Sequence, residues 1–444
     1  MEPVIEKPSY RLLLIGVVVV FYGALAVLWL EGSAAAYTRV MALWGVRAVN
    51  LPGGWYTRNP VPFLDLGIVL SWHECRAGSN VIADKLCSQS HVANYPPLWL
   101  YTPLEWIGLR HALLAGLALG SLFLGSLVFI LRPRDGPEFC IAAAACLSHV
   151  AVFAIERSNV DLILFLLMLA TMALWRRHHS VLSFAAMMAG GFLKFYPFAL
   201  LLLLTRERLR RLSGFAAAAL LIAACYVAWA WRYIVHIDGM LPQAFYFYDM
   251  FGAMLLPLGV TAGLGLPLFA FRLLLAPALL AGLWAALWLA EHYADLLAAI
   301  DWTEQRLSLM LGGSLIIWFC FILGASVDYR AIFLLPVLPG LLALRERVPD
   351  RCFSRLMSLG VAATLFCLYS EMLRANLVAG LTLLLGHAPE SLLEKLPLVV
   401  CFLLREAVWW FEVVLLAGLV LSFVRRSASF RDVDALLARW DGHA

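Results

Sequence analysis

The chain has 444 residues, of which 63% are hydrophobic and 14% are charged, with a formal net charge of +4 at pH 7. This composition excludes an ordinary soluble domain, in which about half of the residues are apolar. Apolar windows of about 18 residues or more recur along the chain and predict a polytopic helical membrane protein. The net charge says little about partners, because most basic residues lie in short loops and serve orientation. The partners that we expect include membrane lipids and no nucleic acid.

Twelve apolar segments are predicted to cross the membrane or to enter it partly. The first is interpreted as a retained helix, because no small-residue cleavage site follows it and more segments come after it. The sequence thus predicts an all-α protein with one transmembrane domain over residues 1–426. The segments are 11–31, 111–131, 138–155, 159–175, 181–194, 196–205, 213–233, 264–290, 307–326, 331–344, 354–374 and 405–424.

Basic clusters between these segments indicate their orientation. Every cluster lies on one face of the membrane, which the positive-inside rule makes cytoplasmic. Both termini are then cytoplasmic, and residues 427–444 are predicted to form a cytoplasmic amphipathic helix. The clusters are Lys7 and Arg11; Arg132 and Arg134; Arg176 and Arg177; Arg206, Arg208, Arg210 and Arg211; Arg345, Arg347, Arg351 and Arg355; and Arg425 and Arg426.

The longest polar interruption runs from Asp65 to Leu98, within a first exterior loop predicted over 32–110 with juxtamembrane helices. It follows a turn-rich run, 51–62, and ends in Asn94-Tyr95-Pro96-Pro97. A membrane protein keeps such a loop folded because the loop binds or reacts with something. We therefore expect Asp65 to be a catalytic base at the membrane surface.

Two of the nine cysteines, Cys75 and Cys87, lie in this loop. If the loop faces an oxidising compartment, a disulfide between them is one expectation, and two buried thiols are the other. The remaining cysteines lie in or beside apolar segments and are interpreted as packing residues. No His/Cys spacing typical of a metal site is present.

The segment from Val181 to Thr205 has basic clusters at both ends, so a single crossing would place one cluster outside. Gly190-Gly191 and Tyr196-Pro197 predict a break near its middle, because glycine and proline weaken a helix there. Two short arms with Lys194 near the apex reconcile the charges. We predict a re-entrant or bent pair of helices.

The predicted outer face receives many ionisable residues that have little loop to account for them. Such groups at membrane depth are costly and usually mark a site. The short turns 156–159 and 326–330 are expected to converge beneath the large loop. This distribution predicts one polar cavity that opens to the outer leaflet.

Each of these residues has a structural alternative. Asp65 is also a suitable N-cap for a helix over 66–72. Asp161 is expected to pair with Arg157 on one helical face, and Lys194 is equally suited to reach the headgroups. The remaining alternatives are a local Asp328–Arg330 ion pair, surface roles for His73 and His91, and an interfacial belt of Tyr246-Phe247-Tyr248 rather than a sugar-stacking platform.

An ordered series of motifs over most of residues 11–345 resembles glycosyltransferase family 87. This family of membrane GT-C glycosyltransferases includes a mycobacterial mannosyltransferase that uses polyprenyl-phosphate mannose. The insertion around 75–87 is longer than the family leads us to expect and leaves the acceptor open. The motifs are an early exterior aspartate, Asn94-Tyr95-Pro96-Pro97-Leu98, Arg157-Ser158-Asn159-Val160-Asp161-Leu162, Leu193-Lys194-Phe195-Tyr196-Pro197 and, as in related bacterial membrane proteins, Asp328-Tyr329-Arg330.

The resemblance implies a GT-C fold with about twelve spanning or partly spanning helices and an enzyme that transfers a hexose or pentose. The donor would be a polyprenyl-phosphate sugar and the acceptor a glycan or glycolipid, at the outer face of a bacterial cytoplasmic membrane. Asp65 would be the general base that deprotonates the attacking hydroxyl. Lys194, Arg330 and Arg157 would hold the phosphate of the leaving lipid.

A single displacement would invert the anomeric configuration, since no second carboxylate for a covalent route is identified. We predict that the reaction needs no metal and no cofactor. Contacts to the acceptor or the sugar are expected from Glu74, His73, Tyr95, Asn94, Asp328 and Tyr248.

Three other functions remain open at this point. One is an oligosaccharide polymerase or ligase that uses a lipid-diphosphate donor. Another is a lipid-glycan transporter or flippase, for which paired broken helices and pseudo-symmetric halves would be typical. The last is an assembly partner in a cell-envelope complex, with the large loop as its docking surface.

Overall fold

The computed structural model describes residues 8–47, 62–77, 96, 98–99, 107–237, 249–267, 269–389 and 391–441. These residues are mostly helical and contain eight helical spans that are long and apolar enough to cross a membrane, one of which, Gly136–Arg157, consists of two consecutive helices. The prediction of an all-α polytopic membrane protein is confirmed. Helices satisfy their own backbone hydrogen bonds, which is why apolar runs of this length take that form in lipid.

The helices divide at a short turn after α8. Up to that point they are α1 (Pro8–Glu31), α2 (Ala34–Leu43), α3 (Leu64–Ala77), α4 (Ala112–Leu131), α5 (Gly136–Cys146), α6 (His149–Arg157), α7 (Asp161–Arg176) and α8 (Ser180–Leu193). Beyond it are α9 (Leu209–Ile237), α10 (Leu255–Gly263), α11 (Ala270–His292), α12 (Gln305–Leu323), α13 (Val337–Arg347), α14 (Arg351–Leu385), α15 (Leu392–Arg425) and α16 (Ala428–Asp441). Tighter 3-10 turns form Leu109–His111, Tyr196–Arg206 and Asp328–Leu334.

The centre of the bundle is formed by α12, α13 and the 3-10 segment Asp328–Leu334. Nearly every side chain of the segment is buried, as are most of those in α12. Gly313 on α12 lies against the Phe333 carbonyl, where a β-carbon would clash. The missing side chain therefore lets the 3-10 segment pack directly on α12 and fixes the depth of the residues that precede it.

A small antiparallel pair positions the start of that segment. Strand β1 (Met250–Phe251) pairs with β2 (Ser326–Val327), with Met250 opposite Val327. The Asp328 N–H donates to the Asp249 carbonyl at 2.9 Å. Asp249 and Asp328, far apart in the sequence, are thus held side by side.

The predicted break between 181 and 205 is confirmed. Helix α8 ends at Leu193, and Tyr196–Arg206 returns as a 3-10 segment with Pro197 near its start. Gly191 allows the two arms to touch, since a β-carbon there would overlap the Phe198 ring. Lys194 lies at the turn between the arms.

Several predicted boundaries are corrected. Predicted segments 354–374 and 405–424 are parts of the longer helices α14 and α15. The expected ends were Arg374 and Arg405, but Arg374 is paired with Glu371 and Arg405 with Glu406. Because these charges are neutralised within the bundle, the helices continue past them.

Two other predicted segments are interrupted. Segment 138–155 divides into α5 and α6, because the Ser148 hydroxyl accepts from the Ala151 N–H at 3.3 Å and begins a second helix. Segment 331–344 begins as 3-10 turns and becomes α13 only at Val337.

The predicted terminal helix is α16. Its Asp432 accepts from the Leu209 N–H at 2.9 Å and from Arg208 at 3.1 Å. The Ser429 hydroxyl donates to the Thr205 carbonyl at 2.7 Å. The helix is therefore attached to the basic turn between the 3-10 arm and α9.

Candidate functional site

Asp65 lies in the first turn of α3, next to the end of α6. Phe63, two residues before Asp65, donates its backbone N–H to the Glu156 carbonyl at 2.6 Å. This hydrogen bond holds the start of α3 against the end of α6. Asp65 Oδ2 accepts from Asn159 Nδ2 at 2.6 Å. The capping interpretation is wrong, because the helix begins at Leu64 and Asp65 is its second residue.

Asn159 connects Asp65 with the rest of the site. It lies in the turn between α6 and α7 and is fully buried. Its Nδ2 also donates to the Tyr329 hydroxyl at 3.0 Å, and its Oδ1 accepts from Lys194 Nζ at 3.1 Å. The amide nitrogen thus faces two acceptors and the amide oxygen faces a donor, and this arrangement fixes the orientation of the side chain. The Asn159–Tyr329 contact also shows that the two turns expected to converge do meet.

Asp161, at the start of α7, is shared by several groups. Lys194 Nζ lies 2.7 Å from its Oδ2, and the Tyr196 hydroxyl donates to its Oδ1. Arg330 Nε is 3.6 Å from Oδ2. Two cations therefore share one carboxylate, and this trio has a formal charge of +1. Lys194 is buried in this pairing, so the prediction that it reaches the headgroups is wrong.

Arg157 does not pair with Asp161. Its Nε lies 3.1 Å from Glu156 Oε2, and its Nη2 donates to the Arg47 carbonyl at 3.1 Å. The expected pairing is wrong because Ser158 has the left-handed conformation (φ 45°) that ends α6. Residues 157 and 161 thus belong to different helices and share no helical face.

Burial acts in opposite directions on the two central ionisable groups. Burial raises the pKa of Asp65. Arg157, the hydrogen bond from Asn159 and Lys194 have the opposite effect on this pKa but are outweighed by burial. Burial lowers the pKa of Lys194 to about 8, against Asp161, which raises it. A half-buried carboxylate with a raised pKa is suited to accept a proton near neutral pH. A lysine with a pKa of about 8 remains mostly charged there.

Asp328 belongs to a second cluster rather than to an ion pair with Arg330. The Arg330 side chain instead contacts Asp161 and donates from Nη1 to Ser326 Oγ at 3.2 Å. Burial raises the pKa of Asp328 to about 7, with Arg405 opposing this shift and Asp249 adding to it. The expected local Asp328–Arg330 pair is wrong.

The second cluster, named here the acidic cluster, consists of Asp249, Asp328, Glu371, Arg374, Arg405 and Glu406. Arg374 binds both oxygens of Glu371 and lies 3.9 Å from Asp249. Arg405 donates to Glu406 Oε1 from Nε at 3.2 Å and from Nη2 at 3.0 Å. Four carboxyl groups thus face two guanidinium groups. Glu371 was not among the predicted site residues, although its i,i+3 spacing to Arg374 was a usable signal.

Several predicted contacts lie outside the described residues. These are Asn94, Tyr95, Tyr248 and Cys87, and the side chains of His73, Glu74 and Cys75 are likewise not described. Trp99, one of the described residues of the predicted loop, donates its indole N–H to the Leu193 carbonyl at 2.9 Å. Asn159, Tyr196, Tyr329 and Trp99 were not predicted as site residues, although the first three lie within the quoted motifs.

Comparisons with protein-family models, with curated proteins and with solved structures give no match. The resemblance to glycosyltransferase family 87 therefore stays a prediction.

Proposed function

We propose that the protein is an inverting GT-C glycosyltransferase that moves a sugar from a polyprenyl phosphate to a glycan or glycolipid. The observation that carries this proposal is the Asp65–Asn159–Lys194 chain of hydrogen bonds, which joins a carboxylate base to a cationic group. Such a transfer needs both, because the attacking hydroxyl loses a proton while the leaving lipid phosphate keeps a negative charge.

Asp65 is the general base. Its Oδ2 is held by Asn159, so Oδ1 accepts the proton of the acceptor hydroxyl. The raised pKa strengthens the carboxylate as a base, and its partial exposure gives the acceptor access. The hydroxyl oxygen then bonds to the anomeric carbon, and the phosphate leaves with the electron pair of the broken bond.

Lys194 and Arg330 bind the donor phosphate. They share Asp161, so one positive charge remains to be balanced by an anion. Asp161, which also accepts from the Tyr196 hydroxyl, holds the ammonium group in place before the donor arrives, and this avoids reorganisation during the reaction. Arg157, which is paired with Glu156, would contribute to the potential around Asp65 rather than contact the phosphate.

The fold supports this proposal in outline. Eight long apolar spans and two shorter apolar helices are suited to a GT-C architecture with about twelve spanning or partly spanning segments. Basic turns at the opposite end from Asp65 favour a site at the outer face of a bacterial cytoplasmic membrane. Reaction without a metal or cofactor remains part of the proposal.

The test is a transfer assay on purified protein in lipid bilayers. A panel of labelled polyprenyl-phosphate sugars is offered with extracted envelope glycans and lipids. Label moves into an acceptor with wild type and with Asp350→Asn, but not with Asp65→Asn. Asp350 is a matched control because it caps α14, a role in which asparagine is equally suitable. Equal transfer by the Asp65→Asn protein would remove Asp65 from the mechanism.

A second candidate function is proton-coupled transport of a lipid-linked glycan. It is favoured by the acidic cluster, in which burial raises the pKa of Asp328 to about 7, since buried titratable groups at membrane depth are typical of proton relays. Uptake of unmodified substrate into vesicles that a pH gradient drives, with no sugar transferred to any acceptor, would favour transport over the transferase.

A further inference from the structure

An elongated cavity of about 600 Å³ lies between α1 and α4, away from the cations that contact Asp161. Helix α1 lines it from Arg11 to Trp29, and α4 lines it from Leu113 to Val128. At the rise of an α-helix, the stretch from Arg11 to Trp29 covers about 27 Å, close to the thickness of the hydrocarbon core of a bilayer. The cavity thus runs along nearly the whole depth of the membrane.

Glycines open this cavity. A β-carbon at Gly23 on α1 or at Gly125 on α4 would meet no atom within 4 Å. Most of the other lining residues are apolar, and valine, leucine and isoleucine are the commonest among them. A long apolar groove of this volume is suited to one extended hydrocarbon chain.

One end of the cavity adjoins the candidate catalytic site. It is formed by Pro62, Phe63 and Glu156, and the Glu156 carboxyl group is the polar group among these three. Glu156 is only 4% exposed, and within the described residues neither carboxyl oxygen accepts a hydrogen bond, although Oε2 faces Arg157. Phe63 precedes Asp65 by two positions and is bonded to the Glu156 backbone. The head of a chain in the groove would therefore lie beside Asp65.

The charges at this end disfavour a phosphate head. Asp65 and Glu156 are two carboxyl groups beside one guanidinium, that of Arg157, so the formal sum is −1 with both ionised and 0 with one of them protonated. Across Asn159, the Lys194–Asp161–Arg330 trio has a formal sum of +1. A lipid phosphate would be stabilised at the trio. A hydroxyl group that donates to the Glu156 oxygens would be stabilised at the groove.

We propose that the groove between α1 and α4 binds the hydrocarbon chain of the acceptor, which is a lipid with an uncharged, hydroxyl-bearing head. Its role as acceptor rests on the proposed function; its binding does not. The head hydroxyl gives its proton to Asp65, its oxygen bonds to the anomeric carbon, and the polyprenyl phosphate departs from the opposite side with the electron pair.

The experiment is photolabelling of the full chain in lipid nanodiscs. The probe is a monoacylglycerol with a diazirine in its chain, and the comparison probe is a lysophosphatidic acid with the same chain. Labelled peptides are identified by mass spectrometry, with and without excess unlabelled monoacylglycerol. The variants are Gly23→Leu and Gly125→Leu, which fill the groove, and Gly16→Leu, which lies on α1 in open space outside it.

Labelling of α1 and α4 by monoacylglycerol should be saturable and competed by the unlabelled lipid. Leucine at position 23 or 125 displaces about two buried methylene groups and should weaken binding about tenfold. Gly16→Leu should bind as wild type. The lysophosphatidic acid should label the groove several-fold less.

Labelling that is not competed, or that is unchanged in both groove variants, would overturn the proposal, because bulk lipid then accounts for it. Equal or stronger labelling by the phosphate-bearing probe would overturn the assignment to an uncharged head. Saturable groove labelling in a protein without transfer activity would leave lipid binding standing and reject the transferase. Transfer that is unaffected by either groove variant would reject this inference alone.

Discussion

A buried or half-buried carboxyl group lies at each end of the span Gly136–Arg157, and the two groups have different surroundings. At one end, Glu138 accepts from Arg134 and Arg306 on both oxygens, with distances between 2.7 and 3.1 Å. At the other end, the half-buried Asp65 on α3 accepts a hydrogen bond from Asn159. Lys194 contacts the opposite end of the Asn159 amide, so Asn159 lies between the carboxylate and this cation. The comparison teaches that hydrogen-bond saturation, more than the presence of charge, separates a structural carboxylate from one that is able to act on a ligand.

Asp65→Asn is expected to have the largest effect on activity. The amide keeps the hydrogen-bonding shape but does not take a proton, so transfer should fall about 10²- to 10⁴-fold. Thermal stability and donor binding should remain those of wild type. Steady-state transfer and a melting curve on the same preparation measure both. A variant that is inactive because it unfolds would not support the role of Asp65.

Glu138→Gln should show the reverse pattern. Loss of the buried negative charge weakens the bonds from Arg134 and Arg306, although Arg134 keeps Glu346 as a partner, and should destabilise the fold by about 1–3 kcal/mol. Transfer per folded molecule should be unchanged. Thermal unfolding in detergent, with activity normalised to the folded fraction, checks this. A fall in normalised activity comparable to that of Asp65→Asn would abolish the distinction between the two ends.

Lys194→Met should weaken donor binding. A charged hydrogen bond contributes roughly 1.5–3 kcal/mol, so the KM for the donor should rise roughly ten- to a hundredfold. Asp161 keeps Arg330 and Tyr196 as partners, which limits the loss of stability. The exposed Lys395→Met on α15 is the matched control. A change confined to the KM for the acceptor would contradict the assignment of Lys194 to the donor phosphate.

The pH dependence should be bell-shaped. Transfer needs an ionised Asp65 and therefore rises with pH through the raised pKa of that group. It also needs a charged Lys194 and therefore declines as the pH passes about 8. Lys194→Arg should move only the alkaline limb to higher pH, because arginine stays protonated. An alkaline limb that does not move in this variant would exclude Lys194 as its source.

Much of the architecture could be predicted because apolar length and basic turns depend on local sequence. The broken pair around Lys194 was predicted from glycine, proline and charge alone. Helices α14 and α15 are longer than predicted, because Arg374 and Arg405 are neutralised by Glu371 and Glu406 and do not end the apolar segments.

The candidate site was only partly predictable for a different reason. Asp65, Lys194 and Arg330 were selected as charges at one membrane face, and the structure brings them to Asn159 and Asp161. The partner of Asp161 was predicted wrongly because i,i+4 spacing applies only within one helix, and Ser158 ends α6. The bridging role of Asn159 depends on four different segments of the chain, and no local pattern encodes such a contact.

The most direct measurement is the release of polyprenyl phosphate from a labelled polyprenyl-phosphate sugar by purified protein in bilayers, with acceptor extract present. Wild type, Asp350→Asn and Asp65→Asn are compared at equal folded concentration. We predict release coupled to sugar transfer in the first two and none above background in the third. Equal release by all three, or uptake of intact donor without any release, would contradict the assignment of Asp65 as the catalytic base.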